Sequence, residues 1–238
     1  MSRILVIAGT DSSGGAGLSR DIAMAASMGC SVSPVVTAVT VQTNAALIAS
    51  HPVPPEIIGA QVRAAFAPGG ESPRAVKIGM IGTPEAARQL VQALPQGIPI
   101  VLDPVLKSSS GGELMTAETL RLLLERVTLL TPNLQESARL SAAFAPPDMN
   151  AALTQPSTAE PTQDPETLHW QADQLRATGV QAVLIKGGHG RGTDSTDHLY
   201  ASAGHSSFAA PRLPVEKRGT GCSLATAIAC ALAQGNCL

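Results

Sequence analysis

Short apolar runs alternate along the chain with segments whose apolar residues recur at helical spacing, and glycine- or proline-rich turns separate them. Apolar runs without polar alternation, such as Ile4 to Ala8, are typical of strands that a parallel sheet buries on both faces. We predict strands at Arg3–Ala8, Val32–Val41, Ala75–Met80, Ile98–Leu102, Val127–Leu130 and Gln181–Ile185.

Helical segments lie between these strands. Thr83 is a good N-cap residue and Pro84 suits the first position of a helix. We predict helices at Leu18–Met28, Pro54–Phe66, Pro84–Leu94, Thr116–Leu124, Glu166–Thr178 and Ser223–Gln234. The alternation indicates an α/β fold with a mostly parallel sheet. His198–Ala201 and Ser206–Pro211 predict a short antiparallel hairpin at the edge of that sheet.

The length of 238 residues fits one α/β domain, and no internal repeat divides it. The segment from Phe144 to Pro165 is rich in Pro, Thr, Gln and Ala and has no hydrophobic periodicity. It predicts a surface excursion, about residues 145–165, that could be disordered apart from a short helix near Met149–Leu153. The polar segment Lys107–Gly112 is interpreted as a mobile flap. We predict a single domain over residues 1–238.

Charge and composition exclude several classes of partner. The chain has 16 basic and 18 acidic residues without a basic cluster, and only 2% of it is aromatic, so we expect no nucleic-acid partner. No apolar run reaches transmembrane length, and the first one is too short for a signal peptide, so we expect no membrane partner. The four cysteines have neither metal-ligand nor disulfide-framework spacing, which favours a reducing cytoplasm.

Candidate chemistry centres on the segment Gly219-Thr220-Gly221-Cys222, which comes directly before the last predicted helix. Glycines at a helix start let backbone N–H groups point toward one place, and the helix dipole adds partial positive charge there. The segment would therefore attract an anion such as a phosphoryl group. A thiol in the first turn of a helix tends to have a lowered pKa. The alternative is ordinary helix punctuation with a buried structural cysteine.

A second glycine-rich segment, Gly9 to Gly17, joins the first strand to the first helix. Such loops lie at the carboxyl ends of parallel strands, where α/β proteins bind ligands. This loop is neither a Walker A loop nor a G-x-G-x-x-G fingerprint. Asp21 could accept hydrogen bonds from a ligand, or it could be a carboxylate that the helix dipole stabilises. Gln42, after the second strand, suits the edge of a heterocycle, or it could be a turn residue that faces water.

Polar residues also follow the later strands. Asp103 could face a metal ion or a phosphate, or it could form an Asp-Pro turn. Asn133 and Glu136 share a helix face and could orient water around Mg²⁺, or they could form a capping box. The segment Lys186-Gly187-Gly188-His189 could place a lysine against nucleotide phosphates, or it could be an exposed turn. Its histidine is weak support for acid–base chemistry.

Together these segments resemble the hydroxymethylpyrimidine and phosphomethylpyrimidine kinases of thiamine biosynthesis. The resemblance runs from Ile7 to about Ala233 and follows the family's order of motifs. The segments that carry it are Ala8 to Gly17 with Asp21, Lys77-Ile78-Gly79-Met80, Val101-Leu102-Asp103-Pro104-Val105, Thr131-Pro132-Asn133-Leu134, Lys186-Gly187-Gly188-His189 and Gly219-Thr220-Gly221-Cys222. It implies the ribokinase-like fold, a three-layer α/β/α sandwich with a mostly parallel central sheet.

The resemblance also implies the roles of individual residues. The residues expected to face the pyrimidine are Gly9, Asp21, Gln42, Met80 and Val105. The residues expected near Mg²⁺ and phosphate, partly through water, are Asp103, Glu136 and Asn133. The residues expected on the nucleotide side are Lys186, Gly187 and Thr220. Cys222 stands where most ribokinase-like enzymes have a catalytic aspartate, and Gly219, Thr220 and Gly221 complete the anion site.

The sequence departs from the family's pattern in three places. The family's Gln-Asn-Thr after the second strand is Gln42-Thr43-Asn44 here, which would alter the rim of the pocket. The Thr-His pair that often precedes the family's anion motif is Lys217-Arg218 here. Relatives also usually carry at least one helix beyond the last one predicted here.

The resulting hypothesis is ATP-dependent phosphorylation of the primary alcohol of 4-amino-5-hydroxymethyl-2-methylpyrimidine (HMP), and then of its monophosphate. Mg²⁺ would bridge phosphate oxygens, and Cys222 would be either a thiolate base or a small residue of the anion hole. Relatives imply a homodimer. The hypothesis requires that the start of the last helix and the early glycine loop line the same hollow.

A pyridoxal or pyridoxine kinase of the same fold is the closest alternative. A sugar or nucleoside kinase is disfavoured, because Cys222 replaces the expected aspartate. A non-catalytic pyrimidine-binding protein is an alternative from a different class.

Overall fold

The computed structural model describes residues 1–106, 114–146, 162–215 and 217–238. The strands are β1 Arg3–Ala8, β2 Ser31–Val36, β3 Ala38–Gln42, β4 Leu47–Pro52, β5 Ala75–Ile78, β6 Ile100–Leu102, β7 Leu129–Leu130, β8 Ala182–Ile185, β9 Asp194–Ala201 and β10 Gly204–Pro211. The helices are α1 Gly17–Ser27, α2 Pro55–Ala65, α3 Pro84–Ala93, α4 Ala117–Arg121, α5 Leu134–Phe144, α6 Pro165–Arg176 and α7 Thr220–Ala233, with a 3-10 turn at Leu124–Arg126.

Two compact units make up the chain. The first comprises Met1–Arg126 and Lys217–Leu238, and the second comprises Val127–Glu216. The single domain over residues 1–238 stays a prediction. The predicted flap at 107–112 and the short helix at 149–153 lie outside the described residues. Within the described ranges, no helix combines the length and the apolar character needed to cross a bilayer.

Four parallel strands form the sheet of the first unit, in the order β6-β5-β1-β2. Every residue of β5 and β6 is buried, as is all of β1 after Arg3, so helices cover both faces of these strands, as their unbroken apolar runs predict. Helix α1 packs against α7, and α2 packs against α3. Pro34 is exposed on the edge strand β2, where a missing backbone N–H is tolerated.

The strand predicted at Val32–Val41 is wrong in one respect, because the chain leaves the sheet at Thr37. The Thr37 hydroxyl donates to the carbonyl of Met80 at 2.6 Å, and the Thr37 N–H donates to the carbonyl of Ala8. These bonds end β2, and the chain continues as β3, which pairs with β4 in a separate two-stranded antiparallel sheet. We refer to residues 38–52 as the β3–β4 ribbon; β4 was not predicted.

The second unit has the strand order β10-β9-β8-β7. β7 and β8 are parallel, whereas β9 runs antiparallel to both β8 and β10. Helix α6 packs against α5 and against β8. The predicted antiparallel hairpin is confirmed, and it is longer than its sequence pattern indicated. The α/β class with a mostly parallel sheet is confirmed as well.

Two helices differ from their predicted bounds. The helix predicted at Thr116–Leu124 is only five residues long as α4, which ends at Arg121 before the 3-10 turn. The last helix begins at Thr220 rather than at Ser223, because Gly219 takes the N-cap position in a left-handed conformation. The first turn of α7 therefore contains most of the segment that the sequence singled out for anion binding.

Candidate active site

The glycine loop between β1 and α1 folds back on its own beginning. Gly17 has a φ of 57°, and its missing side chain leaves room for the carbonyl of Gly9. That carbonyl accepts a hydrogen bond from the N–H of Leu18 at 3.1 Å. Only a glycine adopts this conformation without strain while another backbone approaches so closely. The loop is therefore a fixed turn at the carboxyl end of β1.

The start of α7 contacts this loop. Gly219 has a φ of 75°, and a side chain there would collide with the carbonyl of Gly15 and crowd the side chain of Arg20. The two glycine-rich segments, about 200 residues apart in the sequence, thus lie backbone against backbone. This contact places the two segments side by side; that they line one substrate hollow stays a prediction. It also places the free N–H groups of the first helical turn beside the loop.

Gly9 and Met80, both expected to face the pyrimidine, lie side by side. A side chain at Gly9 would come within 3.1 Å of the Met80 sulfur and 3.5 Å of the Ala38 carbonyl. Gln42 is held by its backbone, because its N–H donates to the Ser12 hydroxyl and its carbonyl accepts from the same hydroxyl, both at 2.7 Å. The Gln42 residue is half-buried. Gly9 and Met80 are therefore neighbours, and Gln42 lies further along the same glycine loop, beside Ser12.

Asp21 occupies a buried position behind the glycine loop. One carboxylate oxygen accepts from the Lys77 ammonium at 2.7 Å, and the other accepts from the Thr226 hydroxyl at 2.8 Å. The side chains of Asp21 and Lys77 have no exposed surface. These contacts join α1, β5 and α7. The predicted contact between Asp21 and the substrate stays a prediction.

Lys77 is a functional candidate that the sequence reasoning missed, because a lysine in a strand gives no sign of being fully buried. Burial alone would lower the pKa of Lys77, but the charge and hydrogen bond of Asp21, together with the nearby Asp103, outweigh it and raise that pKa above its ordinary value. Lys77 is therefore a permanent cation beneath the start of α7. Burial raises the pKa of Asp21, while the nearby ammonium opposes the rise, and we infer that the pair is ionised.

The expectation of a lowered pKa at Cys222 is wrong. Burial is the largest influence and raises the pKa of the thiol, and Asp103 and Asp21 raise it further. The Lys77 charge and a backbone hydrogen bond from Gly17 oppose the rise without cancelling it. Position in a first helical turn favours a thiolate, but here burial beside carboxylates outweighs the helix dipole. Cys222 is a neutral thiol at neutral pH.

Asp103 lies at the carboxyl end of β6, as predicted. It is 3% exposed, and its N–H donates to the carbonyl of Ile78. The N–H of Val105 donates back to the Asp103 carbonyl at 2.8 Å, which forms a tight turn directly after the strand. Asp103 also belongs to the electrostatic group that includes Lys77 and Cys222. The structure therefore has both a carboxylate at the end of the strand and the turn that was the alternative interpretation of Asp103.

In the second unit, Asn133 and Glu136 form the capping box that was the alternative to a metal role. The Glu136 carboxylate accepts from the N–H of Asn133, and the Asn133 side chain accepts from the N–H of Glu136, both at 2.9 Å. Lys186 follows β8 and pairs through a β-bridge with Asn133. The capping residues and the lysine thus lie at the same edge of this unit's sheet.

The loop after Lys186 is held by β9 and by one arginine. The N–H of Gly187 donates to the Asp197 carboxylate at 2.8 Å, and a side chain at Gly187 would collide with the carbonyl of Thr196. The Arg212 guanidinium donates to the carbonyls of Gly187 and Gly188. The predicted nucleotide loop is therefore preorganised, and Arg212 is a residue that the sequence pattern did not single out.

Comparison of the sequence with known proteins identifies the family to which the chain belongs. A family model described as phosphomethylpyrimidine kinase matches residues 11–238. A hydroxymethylpyrimidine/phosphomethylpyrimidine kinase of Rhizobium meliloti is 34% identical over 240 residues, which cover 97% of this chain and 82% of that protein. A thiamine biosynthesis bifunctional protein ThiED of Geobacter sulfurreducens is 33% identical over 241 residues, which cover 98% of this chain and 45% of that protein.

Solved structures agree with the sequence comparison. The crystal structure of phosphomethylpyrimidine kinase from Clostridium difficile matches with a TM-score of 0.75 and 28% identity, covering 100% of this chain and 93% of that one. The structure of pyridoxal kinase from Staphylococcus aureus in complex with AMP-PCP and pyridoxal matches with a TM-score of 0.78 and 25% identity, covering 100% of this chain and 82% of that one. Both candidate activities therefore have representatives with this fold.

Proposed function

Because the chain belongs to the phosphomethylpyrimidine kinase family, we propose that it transfers the γ-phosphoryl group of ATP to HMP and then to HMP phosphate, in thiamine biosynthesis. The hydroxymethyl oxygen would form the new P–O bond in the first step, and a phosphate oxygen of the product would form it in the second. ADP leaves each time. The observation that carries the proposal is the contact between Gly219 and Gly15, which brings the start of α7 to the glycine loop.

The backbone around Gly219 to Cys222 would hold the transferring group. The first N–H groups of a helix have no intrahelical acceptor and lie at the positive end of the dipole. Phosphoryl transfer depends mainly on positioning and on stabilisation of developing negative charge. The Lys77 cation behind this turn is paired with Asp21, so the stabilising charge would come mainly from the N–H groups and the helix dipole. The site is thus built to stabilise charge rather than to form a covalent intermediate.

Cys222 would act as a small residue of this anion hole and not as a general base. Its raised pKa keeps the thiol neutral at neutral pH, and a neutral thiol is a poor proton acceptor. A neutral side chain at this position also avoids repulsion between a thiolate and the incoming phosphoryl group. The hydroxyl proton of HMP would therefore leave by a route other than the Cys222 sulfur.

Mg²⁺ is expected with ATP in this fold family, and the donor chemistry of Asp103 and Glu136 fits it, because carboxylate oxygens are hard ligands. Among the described residues, no three His, Cys, Asp or Glu side chains form a ready metal cluster, so phosphate oxygens and water would complete the coordination. When bound, the ion would neutralise phosphate charge. The N–H of Asn133 holds the Glu136 carboxylate in place, which is how outer contacts orient a ligand.

Substrate and nucleotide would each have their own set of residues. HMP would contact the region of Gly9, Gln42 and Met80, with Val105 at its edge. Asp21, which its bonds to Lys77 and Thr226 hold between α1, β5 and α7, would complete the substrate residues. The nucleotide phosphates would lie near Lys186, Gly187 and Thr220. The similar pyridoxal kinase was solved with AMP-PCP, which supports the use of ATP here.

Side-by-side turnover of two alcohols tests this function. The protein is incubated with ATP and Mg²⁺ and either HMP or pyridoxal, and phosphorylated products are followed by mass spectrometry. We expect HMP monophosphate and then diphosphate, with turnover of pyridoxal much slower. The matched control is Gly219→Val, purified in parallel, whose side chain would collide with the Gly15 carbonyl; its activity should fall roughly a hundredfold or more.

The outcomes separate the alternatives. Phosphorylation of pyridoxal alone would establish the pyridoxal kinase instead. Binding of HMP without any ATP consumption would establish a non-catalytic pyrimidine-binding protein. Activity equal in wild type and Gly219→Val would reveal a contaminating kinase.

We also propose that the protein is a cytoplasmic homodimer, as the resemblance implies. The β3–β4 ribbon exposes Val39, Val41 and Ile48, and an exposed apolar group of this kind is common at protein contacts. Light scattering on the purified protein would give the subunit count directly. A monomer at micromolar concentration would contradict this part of the proposal.

A further inference from the structure

Arg218 joins three segments of the first unit. It comes directly before Gly219 at the start of α7, and its Nη2 lies 3.3 Å from a carboxylate oxygen of Asp11 in the glycine loop. Its Nη1 lies 3.1 Å from the Ser13 hydroxyl, 3.2 Å from the carbonyl of Thr43 and 3.3 Å from the side-chain oxygen of Asn44. One guanidinium therefore contacts both the glycine loop and the turn of the β3–β4 ribbon.

These contacts bring together two of the departures from the family's motif order. The resemblance implies a histidine at the position of Arg218 and a threonine at the position of Asn44. In the structure these two side chains contact each other. The reversed order of Thr43 and Asn44 places an amide oxygen, which extends further from the backbone than a threonine hydroxyl, within reach of the guanidinium, and the longer Arg218 side chain spans the distance to it. The two departures are thus parts of one interaction.

The charge and shape of the arginine side chain fit the contacts that Arg218 makes. Asp11 is only 3% exposed and Arg218 is 20% exposed, so the pair is shielded from water and its Coulomb attraction is strong. Arginine presents several N–H donors in a planar fork, which a histidine or lysine cannot reproduce. Lys217, the adjacent cation, is exposed. The charge at Arg218 therefore has a structural purpose that its neighbour lacks.

The β3–β4 ribbon needs such an anchor. Among the described strands, β3 and β4 pair only with each other, and an isolated two-stranded ribbon is at best marginally stable. Near its turn the glycine loop holds it through Thr10 with Thr40 and through Ser12 with Gln42. Arg218 adds the contacts to Thr43 and Asn44, directly beyond Gln42. Loss of Arg218 would leave the turn, and with it the Gln42 side chain, less well positioned.

We propose that Arg218 is a positioning residue that fastens the ribbon turn to the glycine loop, so that Gln42 is held in the orientation that recognises the pyrimidine. This inference rests on the proposed function for its link to HMP, but the anchoring itself does not. Because Arg218 is adjacent to Gly219, the residue that sets the substrate pocket is also tied to the start of α7. The link to α7 runs through the backbone, whereas the Arg218 side chain contacts the glycine loop and the ribbon turn.

Steady-state kinetics of Arg218→Met test the effect on recognition. This variant keeps most of the apolar stem and removes every donor. We expect the KM for HMP to rise by about tenfold or more, which corresponds to the loss of one or two hydrogen bonds. We expect kcat and the KM for ATP to change by less than about threefold. Lys217→Met, which removes the same charge one residue away, should leave all three constants unchanged.

A double-mutant cycle identifies the partner. Asn44→Ala alone should raise the KM for HMP by a smaller factor than Arg218→Met. The combination should be no worse than Arg218→Met alone, because both changes remove the same contact. Fully independent effects on KM would contradict a shared contact between Arg218 and Asn44.

Hydrogen exchange on the free protein tests the anchoring without any substrate. In Arg218→Met, amides in residues 38–52 should exchange faster than in wild type, and in Lys217→Met they should not. If the unpaired Asp11 prevents Arg218→Met from folding, Arg218→Met with Asp11→Asn removes the buried charge and allows the same measurements.

The exchange and kinetic measurements test different parts of the proposal. Unchanged exchange in the ribbon would overturn the anchoring, whatever the substrate is. Faster exchange with an unchanged KM for HMP would overturn the role of Arg218 in recognition. If wild type phosphorylates pyridoxal but not HMP, the proposed function fails, and the exchange experiment still decides whether Arg218 fastens the ribbon.

Discussion

At the residue scale, Lys77 shows how a charge can be kept in an apolar core. It is fully buried among the apolar residues of β5, and the Asp21 carboxylate lies 2.7 Å from its ammonium. Burying a charge is costly unless it is paired. The pair is also connected to α7 through Thr226, so α1, β5 and α7 share one buried polar network.

Removing one partner of this pair should be strongly destabilising. We predict that Lys77→Met lowers the free energy of unfolding by about 3–5 kcal/mol, because it leaves an uncompensated buried carboxylate. Lys77→Met combined with Asp21→Asn should recover most of that loss. Urea denaturation followed by circular dichroism measures both. The control is Arg88→Met, which breaks an exposed pair with Glu85 and should have no resolvable effect.

If the double variant is as unstable as Lys77→Met alone, the charge of Asp21 is not the cause of the loss. Shape and packing at Lys77 would then explain it.

Cys222 gives a second prediction at the same scale, which concerns pH. Because burial raises the pKa of this thiol, it stays protonated through neutral pH and contributes no ionisation to the activity profile there. We predict that Cys222→Ser keeps kcat within about tenfold of wild type and leaves the shape of the kcat profile between pH 6 and 8 unchanged. An essential general base would be worth roughly 100- to 10,000-fold.

The exposed thiol Cys237 offers the matched control, because Cys237→Ser changes the same atom far from any proposed chemistry. A thousandfold loss in Cys222→Ser, together with the disappearance of an inflection from the wild-type profile, would restore the thiolate base.

These two residues also show why the sequence predicts some site properties and not others. The position of Cys222 in the first helical turn follows from local glycines, and it is confirmed. Its pKa depends on Asp103, Asp21 and Lys77, which reach it from other segments. The burial of Lys77 likewise depends on a partner 56 residues away. Local patterns place side chains on elements, but electrostatics depend on what the fold packs around them.

At the scale of elements, the β3–β4 ribbon shows the limit of hydrophobic periodicity. Val39 and Val41 alternate with buried Ala38 and Thr40, which is the pattern of any half-buried strand. The pattern is therefore continuous with β2, and nothing in it marks the point where the chain leaves the sheet. Thr37 marks that point through its bond to the Met80 carbonyl, which only the fold brings within reach. The pattern therefore predicts the strand at β3, but neither its sheet nor its partner β4.

The β9–β10 hairpin gives a prediction at this scale. The ring nitrogens of His198 and His205 lie 3.2 Å apart, and both rings stack with Tyr200. Burial lowers the pKa of His198, the neighbouring His205 lowers it further, and Asp197 opposes the change. A histidine with a lowered pKa in the folded state takes up its proton first in the unfolded chain. Its contribution to stability is therefore present above pH 6.5 and is lost as the pH falls below that value.

We predict that the urea midpoint of wild type falls between pH 7 and pH 5.5, and that His198→Phe, which keeps a stacked ring, falls less over the same range. His189→Gln changes an exposed histidine of the same unit and should follow wild type. Parallel pH dependence in wild type and His198→Phe would show that this pair does not set the acid sensitivity.

At the scale of the whole molecule, the order of motifs carried more information than any single motif. Glycine-rich segments and acidic strand ends are common separately, but six of them in one order predicted the fold and the family, and the comparisons confirm both. The order cannot show which ring is preferred, because the similar structures include a phosphomethylpyrimidine kinase and a pyridoxal kinase. That choice depends on side chains around the ring, such as Gln42, whose orientation follows from tertiary contacts.

Ligand-linked stability would reveal this preference without any catalysis. A ligand that binds only the folded protein stabilises it by RT ln(1 + [L]/Kd), which is about 2.7 kcal/mol at a concentration one hundred times Kd. For a chain of this size, we predict that saturating HMP raises Tm by roughly 5–10 °C, and that pyridoxal at the same concentration raises it much less. Arg218→Met should need a higher HMP concentration for the same shift, whereas Lys217→Met should not. Equal shifts with both rings would mean that the pocket recognises only what the two alcohols share, a heteroaromatic ring with a hydroxymethyl group, and that selectivity arises during phosphoryl transfer.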